Sequence, residues 1–159
     1  MSPAEPSRVS EQLANEIAER VRRSGLTVGC AESLTGGQIA TTLAAAPESA
    51  TWFRGGVVAY AAEVKFEVLG VPPGPVITEK CARAMAVGAR RVLGADVAVS
   101  VTGVGGPGEE EGQPAGTVWL AVSTPGVDRA ELQHFDGDPA QVVRDAGQRA
   151  LELLRDALV

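Results

Sequence analysis

The sequence is poor in the residues on which many hydrolytic and metal sites are built. Its 159 residues include one histidine, His134, and two cysteines, Cys30 and Cys81. Zinc sites made of several histidines are therefore excluded, and a serine–histidine–aspartate triad would have to use His134, which we interpret as a structural strand residue. The two cysteines lie far apart without metal-ligand spacing, so we expect two buried thiols rather than a disulfide.

Basic charge and long apolar runs are also scarce. The net charge is −6, whereas nucleic-acid binding usually needs a basic face, so we expect no direct contact with nucleic acid. No segment approaches the roughly 18 uninterrupted apolar residues of a membrane helix, so we expect no membrane association. Residues 1–7 read as a short disordered lead without an apolar export segment, and we therefore expect a cytoplasmic protein.

Lysine is the rarer of the two basic residues. The chain has twelve arginines but only two lysines, Lys65 and Lys80. A lysine can lose its proton at a working pH and an arginine cannot. Each lysine is therefore a candidate base.

The apolar pattern predicts one α/β domain over residues 8–159. A hydrophobic content of 45% is ordinary for a globular chain of this length. Strands that alternate with helices, together with one hairpin, predict a mixed sheet with helices on both faces. We expect Ser10, near the start of the first helix, to cap it and Thr78 to cap the fourth. The predicted helices are 9–24, 35–46, 62–70, 79–93 and one that starts at Asp138–Pro139, and the predicted strands are 26–31, 55–60, 96–102, 117–123 and 129–135.

The first candidate for chemistry is the turn Ala31–Gly37, between a strand and a helix. A serine there, Ser33, would project from the carboxyl end of the sheet, where open α/β folds bind ligands. Free amides at the following helix start can also stabilise an anion. The alternative is that Ser33 or Thr35 only caps the helix.

The second candidate is the pair Tyr60 and Lys65. A serine hydroxyl needs a base, and a buried, neutral lysine amine can accept its proton. Tyr60 could then assist the proton transfer. We expect desolvation to act on Lys65 with no carboxylate nearby. The alternative is a surface lysine beside a half-buried strand tyrosine.

The third candidate is the glycine-rich stretch Thr102–Gly108, which follows a buried strand. Its backbone amides could approach a phosphate or ribose closely, although such a stretch is as often only a turn. No lysine follows it in the manner of a phosphate-binding Walker loop. The acidic run Glu109–Glu111 has no further ligands in register, so we expect no metal site.

Four stretches of the chain carry a family resemblance. They are AESLTGG (31–37), WFRGGVVAYAAEVKFEVLGV (52–71), SVTGVGGP (100–107) and PAGTVWLAV (114–122). In this order and spacing they resemble the C-terminal domain of the CinA family, which includes stand-alone nicotinamide-nucleotide amidases. The similarity runs over nearly the whole chain.

The resemblance implies a three-layer α/β/α domain with a mixed, mostly parallel sheet. It implies hydrolysis of the carboxamide of nicotinamide mononucleotide to nicotinate mononucleotide and ammonia, without metal or organic cofactor. The implied catalytic residues are Ser33, Lys65, Tyr60 and Thr102. The implied substrate-binding residues are Thr35, Gly36, Gly37, Gly103, Gly105, Gly106 and Arg144.

The chain departs from the family pattern at three places. Ala62 replaces an asparagine that is common between the tyrosine and the lysine. Pro139 and Val143 stand where arginines are common in the family. Arg144 follows the second of these positions by one residue, which is about 100° of rotation on a helix. If those arginines bind the substrate phosphate, this chain would bind a nucleotide differently.

Three functions therefore remain open. The first is an amidase for nicotinamide mononucleotide, and the second is a serine–lysine amidase for another small amide. The third is a non-catalytic protein-interaction module associated with competence and DNA damage. We expect a homo-oligomer, by default a dimer.

Overall fold

Alternating helices and strands make up residues 7–158, the part of the chain that this computed structural model describes. The helices there are α1 (Arg8–Ser24), α2 (Gln38–Ala44), α3 (Ser49–Trp52), α4 (Ala62–Leu69), α5 (Glu79–Leu93) and α6 (Pro139–Ala157). The strands are β1 (Val28–Glu32), β2 (Phe53–Val58), β3 (Val97–Gly103), β4 (Thr117–Ser123) and β5 (Asp128–His134). None of the described helices is long and apolar enough to cross a membrane.

The five strands form one sheet in the order β2-β1-β3-β4-β5. β1 is parallel to both of its neighbours, and β4 is antiparallel to β3 and β5. Four strands therefore run in one direction and β4 runs against them, which confirms a mixed, mostly parallel sheet. β1 is buried along its whole length, as expected for a central parallel strand covered on both faces.

Helices cover both faces of the sheet. Ile17 of α1, Leu43 of α2 and Leu151 of α6 pack against one face, and Leu69 of α4 and Met85 of α5 belong to the core on the other. Full burial of such a side chain contributes about 1.5–3 kcal/mol. The predicted three-layer α/β/α architecture is confirmed.

The helix ends follow local side-chain chemistry. Thr78 accepts a hydrogen bond from the Cys81 amide at 3.0 Å and caps α5 as predicted. Asp138 caps α6, with Pro139 in its first turn, also as predicted. At α1 the cap is Ser7, and the prediction of Ser10 is wrong because Ser10 lies inside the helix and donates its amide to Ser7. Of the predicted lead, residues 1–6 lie outside the described residues.

The largest difference from the predicted elements concerns the second helix. It was predicted over 35–46 but begins at Gln38, because residues 34–37 form turns. Gly36 and Gly37 have φ angles of +59° and +109°, which glycine adopts without a steric penalty. The short helix α3, after Pro47, was not predicted from the sequence.

The connections place a crevice at β1. From β1 the chain passes through α2 and α3 to β2 on one side. It then returns through α4 and α5 to β3 on the other side of β1. Such a change of direction leaves a crevice at the carboxyl ends of the two central strands, which is where open α/β folds bind ligands. Ser33 follows β1 at this edge, and Thr102 lies near the end of β3.

Candidate active site

Ser33 and Lys65 meet in this crevice. The Lys65 Nζ atom lies 2.9 Å from the Ser33 Oγ atom. Ser33 is 7% exposed and Lys65 only 2% exposed. The structure thus brings together the two residues that the sequence proposed as nucleophile and base, and Lys65 is not a surface lysine.

Two backbone carbonyls fix the direction of the lysine amine. Nζ donates to the carbonyl oxygen of Ala59 at 2.8 Å and to that of Tyr60 at 3.2 Å. A neutral amine has two N–H donors and one lone pair. If both donors are used by these carbonyls, the lone pair is left for the hydroxyl of Ser33. The arrangement can therefore accept the serine proton once Lys65 is neutral.

Burial lowers the pKa of Lys65, because desolvation disfavours the charged ammonium. The carboxylates of Glu110 and Glu111 oppose this shift electrostatically, and the net direction is still downward. The expectation of no nearby carboxylate is wrong, since the acidic loop acts on Lys65. Burial also raises the pKa of Cys81 to about 11, so this neighbouring thiol stays protonated near neutral pH and is a poor nucleophile.

Tyr60 enters the geometry through its backbone. Its side chain is 73% exposed and makes no hydrogen bond within residues 7–158, whereas its carbonyl oxygen contacts Lys65. The predicted role of the phenol in proton transfer stays a prediction. The exposed ring is free to contact a bound ligand.

Thr102 lies near the end of β3, the strand next to β1. The last paired residues of β1 and β3 are Ala31 and Ser100, and two residues further along both strands reach Ser33 and Thr102. Thr102 is 1% exposed. Its hydroxyl donates to the Val76 carbonyl at 2.8 Å, so its proton is already used in a hydrogen bond.

The acidic loop is tied to the same segment. The Glu111 carboxylate accepts hydrogen bonds from the amides of Val76 and Ile77 at 2.8–3.1 Å. Glu111 has a φ of +52°, an uncommon conformation for a residue other than glycine. The segment of Val76 and Ile77 is therefore held by Thr102 at its carbonyl and by Glu111 at its two amides.

Glu32 is the residue of this site that the sequence reasoning missed. Its side chain is 0% exposed. The Glu32 carboxylate accepts from the Thr35 hydroxyl at 2.5 Å and from the amides of Gly37, Ile39 and Ala40 at 2.9–3.2 Å. The signal was available, because an acidic residue shortly before a helix is a common partner for its free N-terminal amides.

The predicted ligand-binding turn is therefore partly occupied by the protein itself. Thr35 uses its hydroxyl on Glu32, and so does the amide of Gly37. Within residues 7–158 the amides of Leu34 and Thr35 make no hydrogen bond. These two donors, directly after Ser33, are available to a ligand.

The glycine-rich loop packs beside this turn. A Cβ atom on Gly103 would lie 2.4 Å from the carbonyl oxygen of Thr117, so the strand pairing leaves no room for a side chain there. Gly105 faces Leu34, with 4.0 Å between its would-be Cβ and Leu34 Cδ1. Gly106 has a φ of +92°. The loop thus forms a wall of the crevice next to the turn of Ser33.

Arg144 and His134 make no hydrogen bond to Ser33 or Lys65 within residues 7–158. The Arg144 guanidinium is exposed on α6 and donates to the Gln141 side chain at 2.8 Å. His134 is at the end of β5, three strands from β1, or about 14 Å at the usual strand spacing. Because Ser33 directly follows β1, it has no hydrogen bond to His134, and a triad with that histidine does not form.

Two further features of the molecule bear on ligand binding. Among residues 7–158 no group of three or more histidine, cysteine, aspartate or glutamate side chains is arranged to hold a metal ion. A groove of about 370 Å³ between the β4–β5 hairpin and α6 lies at the opposite edge of the sheet. Its charged pair, Arg149 and Glu131, is satisfied internally by contacts of 2.7 and 2.9 Å, so the crevice at Ser33 remains the chemically equipped site.

The family model of the CinA C-terminal domain matches residues 10–158. The chain belongs to the CinA C-terminal domain family. It is 45% identical over 139 residues to a CinA-like protein of Geobacter sp. (strain M21), covering 83% of this chain and 33% of that relative. It is 41% identical over 157 residues to a CinA-like protein of Myxococcus xanthus, covering 94% and 37%. The chain spans about a third of the length of the curated relatives that it matches.

Solved structures of the family have the same fold. A competence-damaged protein (CinA) superfamily protein from Klebsiella pneumoniae is 34% identical, with a TM-score of 0.89 over 94% of this chain and 97% of that one. A competence/damage inducible protein from Agrobacterium tumefaciens is 31% identical, with a TM-score of 0.90 over 99% of each chain.

Proposed function

We propose that this protein is an amidase that hydrolyses the carboxamide of nicotinamide mononucleotide to nicotinate mononucleotide and ammonia. The observation that carries the proposal is the buried contact of 2.9 Å between Lys65 Nζ and Ser33 Oγ. Membership of the CinA family supports the choice of substrate. The chemistry requires no metal and no organic cofactor.

In the first half-reaction the neutral amine of Lys65 removes the hydroxyl proton of Ser33. The Ser33 Oγ atom attacks the carboxamide carbon, and a tetrahedral intermediate forms with negative charge on the former carbonyl oxygen. When the intermediate collapses, the bond from carbon to nitrogen breaks and the Lys65 ammonium returns its proton to the departing nitrogen. Ammonia leaves, and the acyl group remains on Ser33 as an ester.

In the second half-reaction water takes the place of ammonia. Lys65 accepts a proton from the water molecule while the oxygen of that water attacks the ester carbon. Collapse of the second intermediate breaks the ester bond, and the proton returns to Ser33 Oγ. The carboxylic acid that is released loses its proton to solvent to give the carboxylate, and the enzyme is regenerated without any net redox change.

The amides of Leu34 and Thr35 would stabilise the intermediate oxygen. They follow the nucleophile directly and have no partner among the described residues. Amide donors in this position are a common form of oxyanion hole. Removing one such donor typically costs a factor of about 10² to 10³ in rate.

The remaining parts of the substrate would lie between Tyr60 and the glycine-rich loop. The Tyr60 ring is exposed at the end of β2, and aromatic rings stack readily on planar, cationic rings. Gly105 and Gly106 present backbone without side chains on the other wall, which suits close approach of ribose or phosphate.

One observation favours a second class of substrate. The Arg144 guanidinium is exposed and hydrogen-bonded to Gln141, and Pro139 and Val143 supply no positive charge. An amidase of this design could therefore prefer a small amide without a phosphate. The family resemblance makes nicotinamide mononucleotide the first choice.

The test is ammonia release from three related amides. Purified protein is incubated with nicotinamide mononucleotide, nicotinamide riboside and nicotinamide, with Ser33→Ala as the control. We expect the mononucleotide to have the highest kcat/KM. A higher kcat/KM for the riboside would favour the second class, and no ammonia from any of them would favour an interaction module.

A further inference from the structure

Glu32 has no place in the chemical steps above, yet it is the most fully bonded carboxylate at the site. Its side chain is completely buried and accepts hydrogen bonds from one hydroxyl and three amides. A buried carboxylate is costly unless its oxygens are satisfied, and here the turn and helix α2 satisfy them. The arrangement therefore holds this segment in one conformation.

The contacts enclose the nucleophile. The main chain of Glu32 is fixed at the end of β1, where its carbonyl accepts from the Ala59 amide at 2.8 Å. Its side chain is fixed to Thr35, three residues later, at 2.5 Å. Ser33 and Leu34 are the two residues between these anchors, and the Gly36 amide closes the turn on the Ser33 carbonyl at 3.1 Å.

The same hydrogen bonds determine which backbone amides of this segment are left without a partner. Glu32 occupies the amides of Gly37, Ile39 and Ala40. The Gln38 amide donates to the Thr35 carbonyl. The amides of Leu34 and Thr35, next to the proposed nucleophile, have no partner within residues 7–158. A turn that moved would lose both the Ser33–Lys65 contact and the direction of these donors.

We propose that Glu32 is a positioning residue, whose buried carboxylate holds the turn so that Ser33 faces Lys65 and the amides of Leu34 and Thr35 face the reacting carbonyl. This rests on the proposed role of Ser33 as nucleophile. It does not depend on which amide is the substrate. Glu32 does not touch the reacting atoms in this account.

The test compares Glu32→Gln with Asp96→Asn. Asp96 holds the other end of β1, where it accepts from the amide and hydroxyl of Thr27 at 2.8 and 3.1 Å. Both substitutions replace a carboxylate by its amide, but only one is at the site. A fluorophosphonate that phosphonylates activated serines measures the reactivity of Ser33 without any assumption about the substrate, and thermal unfolding measures stability.

We expect Glu32→Gln to slow labelling of Ser33 about tenfold or more in folded protein, because displacements near 1 Å can cost up to about 10²-fold in reactivity. Asp96→Asn should lower Tm and label at the wild-type rate. If Glu32→Gln does not accumulate as folded protein, Thr35→Val takes its place, because it removes only the hydroxyl contact with Glu32. We expect the same direction of effect.

Wild-type labelling rates in these folded variants, whatever their Tm, would show that Glu32 only stabilises the fold and would overturn the proposal. Equal slowing in Asp96→Asn would do the same. Slower labelling in Glu32→Gln together with no hydrolysis of nicotinamide mononucleotide by the wild type would uphold the positioning role and reject the substrate. Absence of labelling in the wild type would reject the nucleophile and this proposal with it.

Discussion

The two ends of β1 use similar side chains for different purposes. At its start, Asp96 and Thr27 hydrogen-bond to each other through both backbone and side chains, so each residue uses its polar groups on the other. At its end, Glu32 is equally well bonded, but within residues 7–158 the neighbouring Lys65 is buried without a carboxylate hydrogen-bonded to it, and the amides of Leu34 and Thr35 make no hydrogen bond. One end thus contributes stability alone, and the other keeps groups available for a reaction.

The difference also concerns charge. A buried ammonium without an ion-pair partner costs free energy, which is why the pKa of Lys65 is lowered. A fold selected only for stability has little reason to keep a lysine there. Perturbed titratable groups in a crevice are typical of functional sites.

The largest expected effect comes from removing the proposed nucleophile, Ser33. Ser33→Ala should reduce amide hydrolysis by about 10³-fold or more. It should lower the free energy of unfolding by no more than about 1–2 kcal/mol, because one hydrogen bond to Lys65 is lost. Steady-state ammonia release and denaturant unfolding measure the two effects.

Near-normal turnover in Ser33→Ala would remove this serine from the mechanism. Ser100→Ala is a matched control, since that serine is also buried and bonded, but to the Ala82 carbonyl on α5. It should lose stability and keep its activity.

A smaller effect, on the pH–rate profile, is expected from a substitution in the acidic loop. Glu111 raises the pKa of Lys65, so Glu111→Gln should lower that pKa further. The base is then neutral at lower pH, and the acid side of the pH–rate profile should move to lower pH. Glutamine keeps an oxygen to accept from the Val76 and Ile77 amides.

Glu109→Gln is the control for this prediction, because Glu109 is exposed in the same loop and is not among the groups that shift Lys65. Its profile should match that of the wild type. An acid side that moved to higher pH in Glu111→Gln would contradict the electrostatic account.

The sequence was sufficient for the scaffold and for the reacting pair. Apolar runs and glycine breaks predicted the five strands, and the scarcity of lysine and histidine directed attention to Lys65. The sequence marked Glu32 only as an acidic residue shortly before a helix, and it was not sufficient to identify the amides that Glu32 binds, because these become donors only once the turn and α2 have formed. It was not sufficient for Glu111 either, whose partners lie 34 and 35 residues away in the chain.

The smallest expected effect is that of chelators. The serine–lysine chemistry needs no metal, so EDTA should leave the rate unchanged. Inhibition that a divalent ion reverses would show that the acidic loop, or another group of ligands, holds a metal required for activity.

The central claim is that buried Lys65 works as a neutral base on Ser33. The direct measurement is the pH–rate profile of the wild type beside Lys65→Arg and Lys80→Arg, the second of which changes an exposed lysine of α5. Catalysis by a neutral lysine predicts a rate that falls on the acid side as Lys65 takes up a proton, with a midpoint below the free-lysine pKa of about 10.4. It also predicts an almost inactive Lys65→Arg, since a guanidinium keeps its charge, and a normal Lys80→Arg. A Lys65→Arg variant that turns over at the wild-type rate would contradict the account.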